Sequence, residues 1–578
     1  MTHARRTSLP GLVAAALVGT ALLAACDAPT ASGGATAAAG APSMLITPAC
    51  AGTGGQTHAG DVTTSQTWTR ANSPHRVTNV IFVEAGARLT IAPGAVVCFY
   101  PGTALYARGG GRLWARGRDT AQVVFTALDP ARGWGGIGLY DAPASASYLT
   151  NARLEYVHVD GYALTTGHQH AAYVDSAVIR QSGSAVYFGA PGSRLVRSRV
   201  DTTTNRASYA VYMSEGSFEQ TVVRGAAGIG VAVTGSSVLL AGGRIEGSGG
   251  VGLHVLSDSV HRSSRAVRVV GGKAHAADLS LAALIRLYPT PALQDSLAGN
   301  ARDEVVVGPG TLRSSLTVGS RMRLRIHSTL YVDSAGALVA QPGARMIFWP
   351  HTGIQATNGG RVWLRGSAAS PVLLTADDPA LGWTGIDLRG AAPATSYVTN
   401  TRIEHVEIYT WSVAVGAHDN HRVIVDSSVI RQSGRAVHIT SPNSRLMRTR
   451  VDTILDREFP AVELDANTRI ESTRIRASAG PGLSLSSDVV VASCEIVDGD
   501  GDAILMDGSV ATVRNCNLVN NGGVGIRNPT TGATADAAGN WWGSTDGPLG
   551  TGGDGVSGAV VYTPWRTTPF VLPYVPSF

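Results

Sequence analysis

Two columns of apolar residues recur about every 22 residues along most of this 578-residue chain. In the first column a small residue precedes an aliphatic one. Its members are Ala185-Val186, Ala210-Val211, Gly230-Val231 and Gly252-Leu253, then Ala436-Val437, Ala461-Val462, Gly482-Leu483, Ala503-Ile504 and Gly525-Ile526. Neither column shows the three-and-four spacing of an amphipathic helix. Short strands at this period predict one turn of a solenoid per repeat.

The second column is aliphatic, with a small side chain two positions before each member. It comprises Ile179, Val200, Val223 and Ile245, then Ile430, Val451, Ile475, Ile496 and Leu518. Residues two apart in a strand share a face, so we expect both columns to point into the core. The chain length predicts an all-β solenoid of about 20 parallel turns, stacked ~4.8 Å apart.

A longer duplication lies over this period. The segment "GGRLWARGRDTAQVVFTALDPARGWGGIGL" at 110–139 returns as "GGRVWLRGSAASPVLLTADDPALGWTGIDL" at 359–388. We interpret it as a block of turns copied head to tail. In each copy we expect a tryptophan to cover a loop excursion while an isoleucine enters the core; these residues are Trp134 and Ile137, then Trp383 and Ile386.

Composition supports the all-β prediction, because the chain has 70 glycines and only 15% charged residues. The formal net charge of +5 is scattered along the sequence. A nucleic-acid groove needs clustered positive charge, so nucleic acid is excluded as a predicted partner.

The first 25 residues have the features of a targeting signal: Arg5 and Arg6, an apolar run at 12–23, and small residues before Cys26. The stretch "LLAAC" resembles the lipobox of bacterial lipoproteins. That resemblance implies lipidation of Cys26 and a membrane-anchored protein of the cell envelope. An ordinary secretory signal cut near Ala25 is the alternative. Residues 26–62 are rich in Ala, Gly, Ser and Thr, which is typical of a flexible tether.

The remaining boundaries follow the rhythm of the repeat. We predict a first solenoid block at 63–273, an irregular junction with a short helix at 274–310, a second block at 311–565, and a C-terminal tail or cap at 566–578.

Several segments resemble right-handed parallel β-helices of the pectate-lyase-like superfamily. They are "LTIAPGAVVCF" (89–99), "LVAQPGARMIF" (338–348) and "GNWWGSTDGP" (539–548), the last containing Asn540 and Trp542. The resemblance implies a right-handed parallel β-helix and an association with carbohydrate, but a shared fold does not fix a function.

Catalytic residues of that superfamily find no counterpart here. The sequence has neither an Arg-x-Pro-x-Arg nor a Gly-His-Gly stretch. Carboxylates matched in both copies are predicted to be structural, because an active site seldom needs two copies; they are Asp175 and Asp426, and Glu155 and Glu404. Turn positions are expected for Asp129, Asp377 and Asp378.

Two further motifs admit a metal. Asp498, Asp500 and Asp502 in "DGDGD" are spaced like a calcium loop, although Ser509 stands where an EF-hand has Glu. A Ca²⁺ site and a plain turn are both open, and the turn is favoured. The histidines of "HQH" (168–170) and "HDNH" (418–421) lack a third ligand, so we interpret them as solvated loop residues.

The four cysteines other than Cys26 fall into two groups along the sequence. Cys494 and Cys516 lie 22 residues apart in the inward column, as stacked thiols or as a disulfide, and thiols are favoured. Cys50 and Cys98 would pin the tether to an early turn if bonded, although Cys98 aligns with Ile347 and fits the core as well.

These observations favour a monomeric, lipid-anchored solenoid that binds polysaccharide or a surface protein without chemistry of its own. The alternative is a polysaccharide lyase or glycoside hydrolase with residues that differ between the copies, and a purely structural envelope component is the third hypothesis. Outward arginines would serve as a solubilising ladder or grip acidic sugars, and the ladder is favoured; they are Arg180, Arg197, Arg199 and Arg224, then Arg431, Arg448, Arg450 and Arg476.

Overall fold

The computed structural model describes residues 47–140, 145–258, 260–408, 412–465, 467–486, 488–506, 511–573 and 576–578. They form a solenoid whose turns each contribute strands to three faces, called here face A, face B and face C in chain order. Strands of successive turns pair in parallel. The fold is therefore nearly all β, as predicted from the repeat.

Face B runs through the whole solenoid as one sheet of nineteen strands within the described residues. Its strands are Ile81–Val83, Leu105–Ala107, Ile137–Leu139, Tyr162–Thr166, Ser184–Phe188, Tyr209–Met213, Ile229–Val233, Leu253–Val255, His275–Leu279, Arg302–Val307, Arg323–Ile326, Arg345–Phe348, Val372–Ala376, Thr401–Glu404, Val429–Ser433, Arg450–Ile454, Arg474–Ser478, Glu495–Val497 and Asn517–Val519.

Faces A and C are each divided into two sheets. Face A begins with Gln56–His58, His75–Val77, Val96–Phe99, Val123–Ala127, Ala152–Glu155, Val178–Ser182, Arg199–Thr203, Val222–Ala226, Arg244–Glu246 and Arg268–Val270. It resumes with Ser315–Val318, Ala337–Ala340, Arg361–Arg365, Ala394–Thr399, His421–Asp426, Arg445–Met447, Arg469–Glu471, Val490–Ala492, Thr512–Arg514, Ala535–Asp536 and Val560–Val561.

Face C begins with Gln66–Trp68, Arg88–Ile91, Arg112–Arg116, Ser145–Thr150, His170–Asp175, Arg194–Val196, Ser217–Glu219 and Leu239–Ala241. It resumes with Gly310–Leu312, Leu330–Asp333, Gly353–Thr357, Gly385–Leu388, Val413–Ala417, Val437–Ile439, Val462–Leu464, Leu483–Leu485, Ile504–Met506, Ile526–Asn528 and Val556–Gly558.

Both predicted columns stack inside the solenoid, turn over turn. Val211 lies opposite Val231, which lies opposite Leu253. In the second column, Ile179 lies opposite Val200 in the same way. All five side chains are buried. The core is thus a continuous set of aliphatic files, as the period indicated.

A polar ladder runs along one corner of each copy, between faces C and A in the first copy and between faces A and B in the second. The residue before each small side chain of the second column has a positive φ, for example Arg197 at 44° and Asn515 at 56°. The N–H group of the following residue is therefore left without a partner in the neighbouring strand. A side chain one turn onward accepts it: Ser198 Oγ accepts from Ala177, and Asn540 Oδ1 from Cys516. Where the next turn supplies such a side chain, the corner N–H is satisfied in this way, whereas Gly243 offers none to Thr221.

One turn at the junction is helical rather than stranded. After the face B strand His275–Leu279, α1 (Leu281–Leu287) takes the place of a face C strand. Next, α2 (Pro291–Gln294) and the 3₁₀ turn Asp295–Leu297 occupy the face A position, where the Gln294 amide donates 2.5 Å to the carbonyl of Thr317. The strand Arg302–Val307 then returns to face B, so the junction is one turn of a continuous solenoid rather than a break between two blocks. The other 3₁₀ turns are Pro48–Cys50 and Arg70–Asn72.

The duplication is displaced by one face across this junction. Ala152–Glu155 lies on face A, whereas its sequence equivalent Thr401–Glu404 lies on face B. In the same way Ser145–Thr150 lies on face C and its equivalent Ala394–Thr399 on face A. Matched surfaces of the two copies therefore point in different directions.

The N-terminal end of the solenoid starts earlier than the predicted boundary at 62. Cys50 is disulfide-bonded to Cys98, and the hydroxyl of Thr47 donates 2.6 Å to the carbonyl of Ala127. Residues 47–62 thus pack on the first turns, because one covalent link overrides their tether-like composition.

The C-terminal segment covers the last turns. Phe570 and Asn517 exchange two hydrogen bonds, at 2.8 and 2.9 Å, and the indole of Trp565 donates 3.1 Å to the carbonyl of Thr545. Such a segment shields the open edge that the end of a solenoid presents. None of the helices among the described residues is long and apolar enough to span a membrane.

Candidate functional site

The predicted outward arginines lie in ion-pair ladders. Each of them contacts a carboxylate on its own or a neighbouring turn, as Arg180 does with Glu155 at 2.7 Å and Arg431 with Glu404 at 3.0 Å. Arg197 pairs with Asp175 and Arg448 with Asp426 in the same way. These guanidinium groups are already neutralised, which agrees with a solubilising ladder rather than with a grip on acidic sugars.

A groove with a different composition lies on the first part of face C, and is called here groove 1. Trp114, Tyr148 and Tyr173 occupy the same outward position on successive turns. Their ring centroids are 5.9 and 5.1 Å apart. Arg112 lines the same groove, which has a volume of about 530 Å³. The side chains point outward because they alternate with buried Leu113, Ala115, Leu149 and Val174.

The second copy carries the equivalent groove on face A, called here groove 2. Trp363 lies opposite Tyr397, and the file continues through Ile424, Arg445 and Arg469. Its volume is about 1050 Å³. The remaining lining includes Arg361, Arg422, Pro442, Asn443 and Asp488. Groove 2 is therefore larger and more basic than groove 1.

Four of the groove arginines lack the carboxylate partners that the ladder arginines have, whereas Arg469 of groove 2 pairs with Glu471 at 3.1 Å. Within the described residues, no carboxylate lies within ion-pair distance of Arg112, Arg361, Arg422 or Arg445. Neighbouring arginines stack on the aromatic rings instead: Arg116 lies 4.3 Å from the ring centroid of Tyr148. The grooves thus present aromatic faces beside uncompensated positive charge.

A third cavity, called here the acid–base pocket, lies on the second part of face C. Its volume is about 360 Å³, and its floor is Gly416, where a Cβ atom would lie 3.2 Å from Nε2 of His418. Asp387 and His438 stand on the turns before and after Gly416. Its polar walls are completed by Arg389, Arg435 and Asp419.

Charges in the acid–base pocket are tightly paired. Nε of Arg389 donates 2.7 Å to Asp387, and buried Arg435 forms an ion pair with Glu463. Burial, with Arg435 and then His418 adding to it, lowers the pKa of His438 to about 4. At neutral pH the His438 imidazole is neutral and able to accept a proton.

The charged groups of this pocket belong to the second copy only. The first copy has Gly138, Tyr140, Ser184 and Tyr187 at the positions of Asp387, Arg389, Arg435 and His438. The residue types at these four positions therefore differ between the copies, as we expect for a site with its own chemistry.

Residues 384–541 match the family model described as "Right handed beta helix region". The matched segment contains the acid–base pocket and much of groove 2. The protein is a right-handed parallel β-helix. Among solved structures, the β-helix is similar to a PL6 family alginate lyase, AlyGC, at 9% identity, over 84% of this chain and 96% of that chain, with a TM-score of 0.19. No curated protein matches the sequence significantly.

The predicted rung residues lie at equivalent places in the two copies of the β-helix. Trp134 is buried and stacks on Phe99 at 3.9 Å, and its indole N–H donates 2.9 Å to the carbonyl of Glu155. Trp383 makes the same contacts with Phe348 and Glu404. Ile137 and Ile386 are buried in the core beside them.

The aspartates of "DGDGD" do not come together as a ligand set. Asp498 pairs with Arg476 at 3.1 Å, and Asp502 pairs with Arg527 at 2.5 Å. In the part of the chain that the structure describes, no three His, Cys, Asp or Glu side chains form a metal-binding group. Asp500 is exposed on the same loop. Two of the three carboxylates bind arginines of neighbouring turns, which favours the turn interpretation over a Ca²⁺ site.

The interpretation of the histidine pairs as solvated is wrong for His170 and His421. Both are buried, and each Nε2 atom lies 2.8 Å from a serine hydroxyl, of Ser147 and Ser396. Burial lowers the pKa of His170 to about 4. These histidines are core residues, whereas His418 lines the acid–base pocket.

Among the remaining predicted residues, Cys494 and Cys516 are buried free thiols on adjacent turns. The N–H of Cys494 donates 3.3 Å to Sγ of Cys516. Asn540 ends the corner ladder, and Trp542 is buried beside Gly525. Cys26 lies outside the described residues.

Sequence reasoning missed both grooves and the acid–base pocket. Their signal was the outward position of the strands, where Trp114 and Tyr148 follow the alternation that also places Leu113 and Leu149 inside. Neither the inward columns nor the outward arginine ladder includes these aromatic files, so the repeat alone does not identify them.

Proposed function

We propose that this protein is a lipid-anchored β-helix of the bacterial cell envelope that binds acidic polysaccharide in its two grooves. The observation that carries this proposal is the set of arginines without carboxylate partners beside aromatic faces, repeated in both copies. Unlike the ladder arginines, which are neutralised, Arg112, Arg361, Arg422 and Arg445 have no ion-pair partner among the described residues.

The chemistry of the grooves suits a linear, negatively charged sugar polymer. The C–H bonds of a pyranose ring pack against the electron-rich face of Trp or Tyr. Arg112, Arg422 and Arg445 have guanidinium groups that can bind a carboxylate or sulfate through two parallel hydrogen bonds. Successive turns repeat every ~4.8 Å, comparable with the length of one sugar residue, so consecutive sugars would meet consecutive turns.

Anchoring rests on the N-terminal sequence. A basic start, an apolar run and Cys26 after small residues support export and acylation of that cysteine. Growth with labelled fatty acid tests this step. Label should enter the full chain and should be absent from Cys26→Ser, and equal labelling of both would contradict anchoring at this position.

Binding is tested by titrating the full chain with polygalacturonate and with neutral dextran. We expect binding to polygalacturonate that weakens as salt increases, and little binding to dextran. Arg422→Gln and Arg445→Gln should each weaken the affinity of groove 2 about ten- to hundred-fold, because a hydrogen bond to a charged group contributes about 1.5–3 kcal/mol.

Arg476→Gln is the matched control, since this exposed arginine is already paired with Asp498 on face B. Its affinity should equal that of the unsubstituted protein. Equal losses in control and groove variants, equal binding of dextran, or tighter binding of single-stranded DNA than of polygalacturonate would each contradict the proposal.

A second candidate function is cleavage of the bound polymer by β-elimination, which the acid–base pocket favours. His438 is neutral at neutral pH and lines this pocket, although the neighbouring Arg435 is already paired with Glu463. The imidazole would remove the proton α to a uronate carboxylate, the C4–C5 double bond would form as the C4–O bond breaks, and the glycosidic oxygen would leave with a proton from water.

This candidate is tested by the ultraviolet absorbance of unsaturated uronate ends. Turnover by the full chain should be lost in His438→Gln and kept in His158→Gln, whose histidine is exposed in the first copy. If polymer binds without any new absorbance, the protein is a binding protein only.

A further inference from the structure

The two grooves do not form one continuous path. Groove 1 runs along the solenoid axis, because Trp114, Tyr148 and Tyr173 are stacked on successive turns of face C. Groove 2 runs the same way on face A. The face displacement of the second copy therefore places two equivalent grooves on different sides of the molecule.

The grooves are also well separated along the axis. The face B strand that precedes Trp114 in its turn is Leu105–Ala107, and the one in the turn of Trp363 is Arg345–Phe348, ten strand pairings further on. At ~4.8 Å per turn, this is about 50 Å.

The helical turn of the junction lies between the grooves. Helix α1 takes the face C position in that turn, and α2 takes the face A position, with Gln294 bonded to Thr317 of the next face A strand. A polymer lying straight along groove 1 thus meets α1 and continues on face C, which does not carry groove 2.

We infer that the protein bridges two separate acidic polysaccharide chains, one held in each groove, and so cross-links the polymer that it binds. This inference rests on the proposed function. Its own content is that two different chains occupy the two sites at once, because the grooves lie on different faces and are about 50 Å apart along a continuously paired face B.

A two-polymer capture experiment tests the bridge. Polygalacturonate is immobilised on beads, the full chain carrying Cys26→Ser is added, and soluble fluorescent polygalacturonate follows. The substitution at Cys26 prevents acyl chains from holding several copies together, and gel filtration checks that the protein is monomeric. The unsubstituted grooves should retain the fluorescent polymer on the beads.

Variants with one impaired groove separate bridging from binding. Arg112→Gln/Tyr148→Ala impairs groove 1, and Tyr397→Ala/Arg445→Gln impairs groove 2. Each variant should still be captured by the beads but should retain at least ten-fold less fluorescent polymer, as its remaining single site predicts. Unchanged thermal unfolding of both variants checks that the solenoid is intact.

Each outcome has a distinct meaning. If the beads capture the protein but do not retain the second polymer, bridging is overturned and the proposed function stays in place. Full retention of the second polymer by a variant with one impaired groove has the same meaning. Failure of the unsubstituted grooves to bind the beads would overturn the proposed function itself. A titration with a short oligouronate should find two sites, and one site in each variant.

Discussion

His170 is a neutral imidazole inside the solenoid, and it makes local stability depend on pH. Its Nε2 atom lies 2.8 Å from Oγ of Ser147, which also accepts the N–H of Leu113. Burial lowers the pKa of His170 from 6.5 to about 4 in the folded protein. As the pH falls, His170 is therefore protonated at a higher pH in the unfolded chain than in the folded protein. The stabilisation is complete above about pH 6.5 and is lost toward about pH 4.

In His170→Gln the strands at 145–150 and 170–175 should lose less protection on acidification than in the unsubstituted protein. The difference in the free energy of local opening should be about 1–3 kcal/mol between neutral pH and about pH 4. Hydrogen exchange at both pH values measures it. His158→Gln, at an exposed histidine, should show the unsubstituted pH dependence, and an unchanged profile for His170→Gln would contradict a neutral buried imidazole.

His170 shows what the sequence alone does not reveal about a single residue, which is the hydrogen-bond partner of its side chain. A histidine at an inward position resembles a loop residue unless its hydrogen-bond partner is known. Ser147 is one turn away, 23 residues earlier, and the register that joins them depends on the irregular length of the intervening segment. The matched carboxylates were predictable as structural, because Glu155 and Glu404 recur with their arginines in both copies.

The corner ladder couples one turn to the next through side-chain hydrogen bonds, in addition to the strand pairing. Sγ of Cys516 accepts the N–H of Cys494 at 3.3 Å, and the N–H of Cys516 donates 2.8 Å to Asn540. Cys516→Ala removes an acceptor from a buried N–H and should destabilise this region by about 1–3 kcal/mol. Cys516→Ser supplies a hydroxyl, as other members of the ladder do, and should change stability by less than about 1 kcal/mol.

Urea unfolding of both variants, together with the exchange rate of the Cys494 amide, measures this effect. Faster exchange of that amide in Cys516→Ala but not in Cys516→Ser is the expected result. Equal destabilisation by the two substitutions would show that side-chain packing, rather than hydrogen bonding, decides the choice of residue here.

Strand positions could be predicted from the sequence, whereas the role of this column could not. Alternation by two identifies which side chains point inward. It does not show that the backbone of Asn515 enters the left-handed region and leaves the next N–H without a strand partner. Small size and hydrogen-bond capacity favour the same residue types. From the sequence, the need for a small inward side chain is enough to explain Ser198 and Cys516, and only the corner geometry shows that they also accept hydrogen bonds.

For the whole molecule, the duplication predicted two similar blocks but not their relative rotation. Turn lengths vary, and the junction contributes helices where strands would lie, so the offset of the two tryptophans does not equal a whole number of turns. The face displacement between Ala152–Glu155 and Thr401–Glu404 emerges only from the pairing register. This displacement separates the two grooves, and no comparison of the two sequence copies would have placed them on different faces.

Because each turn of the solenoid contacts only its neighbours, damage at one end should remain local. The bond between Cys50 and Cys98 holds residues 47–58 against the first turns and closes a loop of 48 residues. A loop of this length corresponds to about 4 kcal/mol of stabilisation, which Cys50→Ser should remove from that end. Hydrogen exchange should quicken at 47–58 and in the first turns, while strands from Gly353–Thr357 onward keep their protection. Loss of protection throughout the second copy would instead show that the solenoid unfolds as one cooperative unit from end to end.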